Sequence, residues 1–341
     1  MKIAVDAMGG DYAPGVVIEG LALALDAYPD YEYVLVGHEE KVRFYLEKYG
    51  LADNPKVSVV HAASVCEMSD PSTISLRQKK DSSITTCAKL LKNKQVDAMV
   101  TPGHTGATVA ATKVILRSLP GVDRPALAAC MPAQDGRFLQ VDAGANPDCT
   151  PLNLLQFAIM GSIYAEYLFK MESPPVGLLS VGGEDSKGSE LTKEAFKRMG
   201  DLPINFVGNV EADTIFEGAA KVLVSDGFAG NVLLKGAEGL AKSTIHWLKL
   251  VLSKNAIRLI GASLARNAFH ELKAFGSADE IGGAPLLGVN GIVIIGHGSS
   301  NPKAVLNAIR VAGDCVKFGL NDLIVERIKA AGIEFGSESA K

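Results

Sequence analysis

The amino-acid sequence predicts an α/β fold in which helices cover both faces of a largely parallel sheet. The chain has 341 residues, of which 48% are hydrophobic and 21% charged, so it can bury a substantial core. Six times, a short apolar run ends in polar residues and glycines and is followed by a helical pattern. Such alternation of strands and helices is typical of a parallel sheet that is buried on both faces.

The six strand–turn–helix units follow one another along the chain. They read KIAVDAMGGD, DAMVTPGHTGATVAATKVI, FLQVDAGANPDCTPLNLLQFAI, GLLSVGGEDSKGS, KVLVSDGFAGNVLLKGAEGLA and GIVIIGHGSSNPKAVLNAI. Ligands of parallel sheets bind at the carboxyl ends of the strands. Tight turns alone explain the glycines of any single unit, but polar groups at all six corners predict one shared crevice. The polar side chains at these corners are Asp6, Asp11, His104, Thr105, Asp142, Asn146, Lys187, Asp226, Asn231, His297, Ser299 and Ser300.

The fourth unit continues as SVGGEDSKGSELT and places Lys187 ahead of a predicted helix. It is not a nucleotide-binding P-loop, because there the lysine follows the second glycine and is itself followed by Ser or Thr. Ser189 is predicted to cap the helix, whose free N–H groups would attract an anion beside Lys187. A solvated turn explains this stretch equally well.

A further stretch, SLRQKKDSSI, combines basic residues with two serines ahead of an apolar helical pattern. Ser82 and Ser83 are predicted to cap that helix and to contribute to the site. Arg77, Lys79 and Lys80 either attract an anion or belong to a solvated turn, and the second interpretation is favoured for the two lysines.

Composition and motifs exclude several classes of function. The net charge of −4 and the pI near 5.9 argue against a nucleic-acid binder. Five cysteines without a C-x-x-C pair indicate a reducing compartment and no zinc site, and the histidines show no metal-ligand spacing. The sequence lacks a signal peptide, a membrane-spanning run, a dinucleotide fingerprint and a G-x-S-x-G motif, so we expect a soluble cytoplasmic protein without cofactor or metal.

The remaining polar set favours a pocket that binds an oxyanion through backbone amides, Lys187, Asn231, His104 and small hydroxyl groups. Orthophosphate suits such a pocket, because it is itself a nucleophile and needs only to be held in line with an electrophilic carbonyl. Orientation and preorganised donors can supply much of the rate acceleration.

Residues 231–275 differ from the rest of the chain, because they carry seven basic and two acidic side chains. The apolar residues form two helical stripes, one through Ile245 and Leu248, the other through Ile257 and Ile260. A helical arm packed in the core or at a dimer interface is the simpler interpretation. A basic apolar helical hairpin also suits an anionic membrane surface or an acidic partner, and these interpretations are compatible.

Eight blocks, in order along the chain, resemble the PlsX family of bacterial phosphate acyltransferases. They are MKIAVDAMGGDYAP, SLRQKKDSSI, TPGHTGA, VDAGAN, LLSVGGEDSKG, FVGNVE, VSDGFAGN and GGAPLLGVNGIVIIGHGSS. The resemblance implies a three-layer α/β/α sandwich similar to the isocitrate/isopropylmalate dehydrogenase and phosphate acetyltransferase folds. It implies a single domain over residues 1–330 that includes the arm, and residues 331–341 read as a flexible tail.

The resemblance also implies a reaction, in which acyl-acyl carrier protein and orthophosphate give acyl phosphate and free carrier protein. The acyl phosphate then serves a membrane glycerol-3-phosphate acyltransferase in phospholipid synthesis. Members of the family act as homodimers and associate peripherally with the membrane. The alternatives are an enzyme of the phosphate acetyltransferase type that uses an acyl-coenzyme A, and a non-catalytic scaffold of lipid synthesis.

Roles for individual residues follow as hypotheses. Lys187 neutralises phosphate, Asn231 donates to the carbonyl oxygen or orients phosphate, and His104 acts as a proton relay or hydrogen-bond donor. The acidic carrier protein or the membrane contacts the arm through Lys249, Lys254, Arg258 and Arg266. The remaining phosphate- and acyl-binding residues are Asp6, Gly9, Gly10, Asp11, Ser82, Ser83, Gly103, Thr105, Gly106, Asp142, Asn146, Gly183, Asp226, Gly227, Gly230, His297, Ser299 and Ser300.

Overall fold

One mixed sheet organises the protein. The computed structural model describes residues 1–66, 70, 79–275 and 281–335, so Arg77 and the tail residues 336–341 lie outside it. The described strands are β1 (Lys2–Asp6), β2 (Glu32–Gly37), β3 (Val57–His61), β4 (Ala98–Thr101), β5 (Ala126–Ala133), β6 (Gly136–Val141), β7 (Pro175–Leu179), β8 (Asn205–Val210), β9 (Val222–Val224), β10 (Ala284–Leu287) and β11 (Ile292–Ile295).

The order of the strands divides the sheet into two parallel halves. The order is β3-β2-β1-β4-β11-β10-β5-β6-β9-β7-β8. Strands β1 to β4 and β11 run parallel to one another, and so do β6 to β9. Between the halves, the pairs β11–β10, β10–β5 and β5–β6 are all antiparallel. Three reversals make the halves run in opposite directions. The largely parallel α/β sheet is therefore confirmed, but the expectation of one common carboxyl edge is wrong.

Helices follow most of the strands. The described helices are α1 (Gly15–Ala27), α2 (Glu39–Lys48), α3 (Ser83–Lys92), α4 (Thr105–Ile115), α5 (Pro151–Phe169), α6 (Glu190–Met199), α7 (Thr214–Glu217), α8 (Gly227–Leu252), α9 (Ala256–Leu264), α10 (Arg266–Phe275), α11 (Pro302–Phe318) and α12 (Leu320–Ala330).

The core forms two layers, one on each face of the sheet. The larger cluster packs α1, α5, α11 and α12 against one face, with Ile18, Phe157, Ile309 and Ile324 all fully buried or nearly so. On the other face, α3 and α4 pack together with the start of α8, whose Leu234 contacts this second cluster. Successive residues of β1 and β2 alternate between the two clusters, as a strand buried on both faces requires. The three-layer α/β/α arrangement is confirmed.

Side-chain caps fix several helix starts near the predicted site. Ser82 caps α3 by accepting the Thr85 N–H, and Ser189 caps α6 by accepting the Thr192 N–H, as the sequence predicts. Thr150 forms a capping box with Asn153 at the start of α5, where Pro151 takes the first helical position. Each capping residue lies at the end of a polar loop, where the following helix begins.

The arm begins with α8 at Gly227, four residues before the start expected from the sequence, and continues through α9 and α10. Only Gly227 and Gly230 of α8 are buried. No described helix combines the length and the apolar character that crossing a bilayer requires. Large apolar side chains of the arm are exposed, namely Leu240, Ile245, Trp247, Leu248, Leu250, Val251, Ile257, Leu259, Ile260, Leu264 and Leu272.

Candidate active site

The predicted site residues fall into two groups, one on each half of the sheet. The first group follows β1, β4 and β11 and includes the start of α3. Its members are Asp6, Gly9, Gly10, Asp11, Ser82, Ser83, Gly103, His104, Thr105, Gly106, His297, Ser299 and Ser300. The second group follows β6, β7 and β9, and comprises Asp142, Asn146, Gly183, Lys187, Asp226, Gly227, Gly230 and Asn231. Within the described part of the chain, no hydrogen bond joins the two groups.

Backbone contacts hold the turns of the first group together. The Asp11 N–H donates to the Gly298 carbonyl at 2.8 Å, which ties the turn after β1 to the turn after β11. Gly10 has a φ of +92°, and a Cβ there would lie 2.9 Å from the Gly298 oxygen and 3.0 Å from the Pro102 oxygen. Only glycine fits this position, because both the backbone conformation and the space exclude a side chain.

Asp6 lies under these turns and is fully buried. Its carboxylate accepts the Thr101 hydroxyl at 2.8 Å and the Met8 N–H at 3.1 Å. Burial raises the pKa of Asp6, while the nearby Ser83 and Thr101 hydroxyl groups oppose that rise. Asp6 therefore joins the ends of β1 and β4, and we revise its predicted contact with phosphate to a positioning role.

We expect stability to depend on the ionisation of Asp6. The raised pKa of the folded state means that the folded chain retains this proton at pH values where the unfolded chain has lost it. The contribution of Asp6 to stability is consequently full below its unfolded pKa and declines as pH rises toward the folded pKa. Chemical denaturation between pH 4 and 7 measures the free energy of unfolding. In Asp6→Asn, this free energy should no longer show the decline with rising pH that Asp6 causes. Identical pH slopes for the variant and the parent protein would contradict this role.

His104 caps α4, and both of its ring nitrogens are engaged. Nδ1 accepts the Ala107 N–H at 3.2 Å, which places the ring proton on Nε2. Nε2 lies 2.8 Å from the Asp70 carbonyl oxygen and donates to it. Both ring nitrogens are thus occupied by backbone groups in this structure, and the proton relay stays a prediction that substitution of His104 tests. Thr105 and Gly106 form the first turn of the helix behind this cap.

Asparagine at position 104 should therefore support nearly normal activity, since it caps helices as well as any residue. We expect kcat of His104→Asn to stay within about threefold of the parent value, whereas His104→Ala should lose about 1 kcal/mol of stability with its cap. Steady-state kinetics and thermal unfolding measure the two effects. A loss of kcat by more than about a hundredfold in His104→Asn would restore an acid–base role.

His297 differs from His104 because one nitrogen remains without a described partner. Its Nδ1 accepts the Ser299 N–H at 3.2 Å and lies 2.8 Å from the Ser299 hydroxyl oxygen. The ring proton is therefore on Nε2 of an exposed side chain. Ser300 is buried and donates its hydroxyl to the His297 carbonyl at 2.6 Å. His297 is thus the histidine of the first group that retains a free hydrogen-bond donor.

In the second group, Asp142 organises the loop after β6. Its fully buried carboxylate accepts the backbone N–H groups of Leu127, Gly144, Ala145 and Asn146, together with the Asn146 side-chain amide, at 2.8 to 3.1 Å. Burial raises its pKa, and these donors oppose the rise. Both oxygens are occupied, so we revise the predicted contact of Asp142 with phosphate to a positioning role.

The start of α8 packs directly on this loop. Asp226 caps the helix through the Ala229 N–H at 2.8 Å, and the Gly227 N–H donates to the Asn146 carbonyl. The Asn231 side chain is exposed, and a Cβ at Gly144 would lie 3.4 Å from its Cβ and Oδ1. The loop held by Asp142 therefore sets the position of Asn231.

Lys187 lies in the loop between β7 and α6, and β7 is the neighbour of β9 in the sheet. Its side chain is exposed, and it makes no ion pair with any described residue. The Lys187 N–H donates to the Glu184 carbonyl at 3.0 Å, which folds the loop back on itself. Gly183 has open space around it. Lys187 and Asn231 therefore follow adjacent parallel strands on one half of the sheet.

Comparison with known proteins identifies the family. A family model described as "Fatty acid synthesis protein" matches residues 1–323. The phosphate acyltransferase of Akkermansia muciniphila is 44% identical over 339 residues, with 97% of each chain covered. That of Pelotomaculum thermopropionicum is 44% identical over 334 residues, covering 98% of this chain and 97% of the relative. The chain belongs to the phosphate acyltransferase family. It is an acyltransferase of fatty acid and phospholipid synthesis.

Solved structures with this fold include other acyltransferases. The phosphotransacetylase of Streptococcus pyogenes superposes with a TM-score of 0.58 at 19% identity, covering 96% of this chain and 94% of that one. The EutD phosphotransacetylase of Staphylococcus aureus superposes with a TM-score of 0.56 at 18% identity, covering 93% of this chain and 94% of that one. At these identities the likeness shows that the phosphate acyltransferase shares their fold.

Three polar residues of this acyltransferase were missed at the sequence level. Thr101 binds Asp6, Gln140 donates to the Gly230 carbonyl at 2.6 Å, and the Ser225 hydroxyl donates to the Asp142 carbonyl at 3.2 Å. All three are buried. Thr101 ends an otherwise apolar strand and Gln140 lies between Leu139 and Val141, and a polar residue next to such apolar neighbours is the signal that could have revealed them.

The five thiols of the chain are poor nucleophiles at neutral pH. Burial raises the pKa of Cys130 to about 11 and those of Cys149 and Cys315 to about 12. Burial also raises the pKa of Cys66, and that of Cys87 even further. The thiolate is the reactive form of cysteine, so burial disfavours the reactive form at all five positions.

Proposed function

We propose that the enzyme transfers a fatty acyl group from acyl-acyl carrier protein to orthophosphate by direct attack of bound phosphate on the thioester. The observation that supports the direct route is the burial of the thiols: Cys66, Cys87 and Cys315 are buried and Cys130 and Cys149 are partly buried, which raises the pKa of each and disfavours a cysteine-bound acyl intermediate. Hydrogen phosphate supplies its own nucleophilic oxygen, so the protein needs only to bind, orient and stabilise charge.

Two residues of the second group have roles in this reaction. Lys187 neutralises phosphate at the start of α6, where unpaired backbone N–H groups also favour an anion. Asn231 donates its amide to the thioester oxygen as negative charge develops there. Asp142 positions the loop from which Asn231 acts.

Trapping experiments separate direct attack from a covalent acyl-enzyme. The protein is incubated with palmitoyl-acyl carrier protein without phosphate, quenched in acid, and its intact mass is measured. Direct attack predicts an unmodified mass at every time point, followed by acyl phosphate formation once phosphate is added. A phosphate-independent mass increase of one palmitoyl group would contradict direct attack, and peptide mapping would then identify the acylated residue.

The arm is proposed to dock the acidic carrier protein. Lys249, Lys254, Arg258 and Arg266 are all exposed on α8 to α10 or on the turn between α8 and α9. The arm has an excess of five positive charges in a chain whose net charge is −4. Complementary charge of this kind accelerates encounter with an oppositely charged partner. The exposed apolar residues of the arm are proposed to form the homodimer interface and a groove for the acyl chain.

Reversing arm charges should weaken use of the carrier protein selectively. We expect the triple variant Lys249→Glu, Lys254→Glu and Arg258→Glu to raise KM for palmitoyl-acyl carrier protein at least about tenfold at low salt, with KM for phosphate unchanged. Steady-state kinetics at two ionic strengths provide the measurement. Lys41→Glu and Lys48→Glu on α2, both exposed lysines outside the arm, serve as the matched control. An unchanged KM for the carrier in the arm variant would exclude this dock.

The enzyme is further proposed to work in the cytoplasm on the surface of the membrane, where acyl phosphate passes to a glycerol-3-phosphate acyltransferase. The same basic arm, with its exposed apolar side chains, has the composition of a segment that rests on anionic lipid. Flotation with vesicles containing anionic lipid tests this proposal. Equal flotation of the parent protein and the triple arm variant would count against it.

A further inference from the structure

Two buried polar atoms below the Lys187 loop have no hydrogen-bond partner among the described residues. They are the Ser180 hydroxyl oxygen and the Asn209 side-chain oxygen. Asn209 is only 9% exposed. Buried polar groups are nearly always paired, so an unpaired one calls for an explanation such as a ligand that pairs with it.

The two side chains lie on the same face of the sheet, at the ends of neighbouring strands. Asn209 on β8 pairs with Leu178 on β7, and Ser180 follows Leu178 by two residues, which places it on the same face. The Asn209 side-chain N–H donates to the Glu184 carbonyl at 2.8 Å. This bond fixes the amide orientation, so the unpartnered atom is an acceptor that requires a donor.

The loop and the helix start beside these atoms suit an anion. The loop contains Lys187 and leads into the capped start of α6, a helix of ten residues with unpaired N–H groups at its first turn. Gly188 closes the loop, and a Cβ there would lie 3.0 Å from the Ser180 hydroxyl oxygen. An open cavity of about 860 Å³ flanks the loop, and its charged lining is mixed, with Asp185 as well as Lys193 and Lys197.

We propose that Ser180 and Asn209 position orthophosphate below Lys187 and select its protonated form, hydrogen phosphate. The inference rests on the proposed function, because it concerns the phosphate used there as nucleophile. Lys187 and the α6 N–H groups bind ionised oxygens, whereas the Asn209 oxygen accepts the single P–O–H proton. Ser180 donates to an ionised oxygen beside it. An acceptor in this position rejects sulfate, which carries no proton near neutral pH and would present a lone pair instead.

The same contact orients the reaction. With the P–O–H group held at Asn209, an ionised oxygen is left to attack the thioester carbon. The new bond between the phosphate oxygen and the acyl carbon forms as the C–S bond breaks, and the electron pair of the C–S bond remains on sulfur. The proton of hydrogen phosphate ends on the departing thiol, so the products are the acyl phosphate dianion and the free thiol.

Both atoms are buried in this structure, so phosphate reaches them when residues 185–188 shift while the Glu184 carbonyl keeps the Asn209 amide oriented. Glycines at positions 182 and 183 precede the moving residues, and Gly188 is the last of them. Gly183 has room to move, because no described atom beyond its neighbours lies within 4 Å of the position that its Cβ would occupy. The loop that carries Lys187 therefore also controls access to Asn209.

Anion binding by the full-length protein tests the proposal with inorganic phosphate, arsenate and sulfate as probes. Isothermal titration calorimetry compares the parent protein with Ser180→Ala, Ser180→Thr and Asn209→Leu, and thermal unfolding confirms that each is folded. The parent protein should bind phosphate and arsenate at least about tenfold more tightly than sulfate. Ser180→Ala and Asn209→Leu should each weaken phosphate about tenfold and sulfate by less than about threefold, and Ser180→Thr should restore phosphate binding.

If the variants weaken the binding of phosphate and of sulfate equally, the substitutions disturb the loop in general and the proposal is overturned. Unchanged phosphate affinity in both Ser180→Ala and Asn209→Leu would overturn it as well. The readout does not depend on turnover. The parent protein could prefer phosphate to sulfate, the variants could lose that preference, and the protein could still release no thiol from palmitoyl-acyl carrier protein. That combination would support this site and contradict the proposed reaction.

Discussion

Replacing Lys187 by alanine is expected to abolish acyl transfer while leaving the fold intact. The lysine is exposed and unpaired among the described residues, so its removal should change stability by no more than about 0.5 kcal/mol. Its charge acts on phosphate as the transition state forms, and loss of one such group typically lowers kcat by about a hundredfold or more. Turnover with palmitoyl-acyl carrier protein and thermal unfolding measure the two effects.

Lys193→Ala is the matched control for Lys187→Ala, because Lys193 is an exposed lysine of the adjoining helix α6. It should retain kcat within about threefold of the parent protein, which would show that general positive charge near the loop is insufficient. Full activity in Lys187→Ala would remove this lysine from the mechanism. A similar loss in both variants would instead indicate a diffuse electrostatic effect on phosphate.

Gly230→Ala should have the largest effect on stability and should inactivate the enzyme as well. A Cβ at Gly230 would lie 1.9 Å from the Asp142 carbonyl oxygen and 2.7 Å from the Gln140 amide nitrogen. The backbone of the Asp142 loop must then move away from α8, and Asn231 moves with it. We expect a loss of about 3 kcal/mol or more, because a forced shift of packed backbone exceeds the usual cost of an added methyl group.

The same helix provides the control for Gly230→Ala. Gly239 also lies in α8, but beyond its neighbours and its own helix backbone no described atom lies within 4 Å of the position that its Cβ would occupy. Gly239→Ala should stabilise the protein by about 0.5 to 1 kcal/mol, because alanine is the better helix former. Denaturant unfolding and activity are measured on both variants. Stability of Gly230→Ala equal to that of Gly239→Ala would contradict the close packing of α8 against the loop.

The sequence was sufficient to predict the α/β class, because each strand and each helix carries its own periodicity. The caps Ser82, Thr150 and Ser189 were also predictable, since capping depends on residues only three positions apart. The direction of the strands in the second half of the sheet could not be predicted from the sequence. It depends on β10 and on the β5–β6 pair, and the direction in which distant strands pair does not affect the local hydrophobic pattern.

The candidate site shows the same limit at the level of single residues. Sequence position placed Asp6, His104 and Asp142 at strand ends, but it could not show that their polar atoms are already occupied by the backbone or by Thr101. Asn209 and Ser180 were not predicted as site residues. Their significance depends on burial and on the absence of a described partner, both of which arise only when β7, β8 and the Lys187 loop are packed together.

Release of carrier-protein thiol from palmitoyl-acyl carrier protein, with and without orthophosphate, tests the proposed reaction most directly. Direct attack predicts that thiol appears only when phosphate is present, with one acyl phosphate recovered for each thiol released. Palmitoyl-coenzyme A serves as the comparison substrate and should be used less efficiently. Thiol release without phosphate, or no release from the carrier over several chain lengths, would contradict the assignment of this chain as a phosphate-dependent acyltransferase acting on acyl-acyl carrier protein.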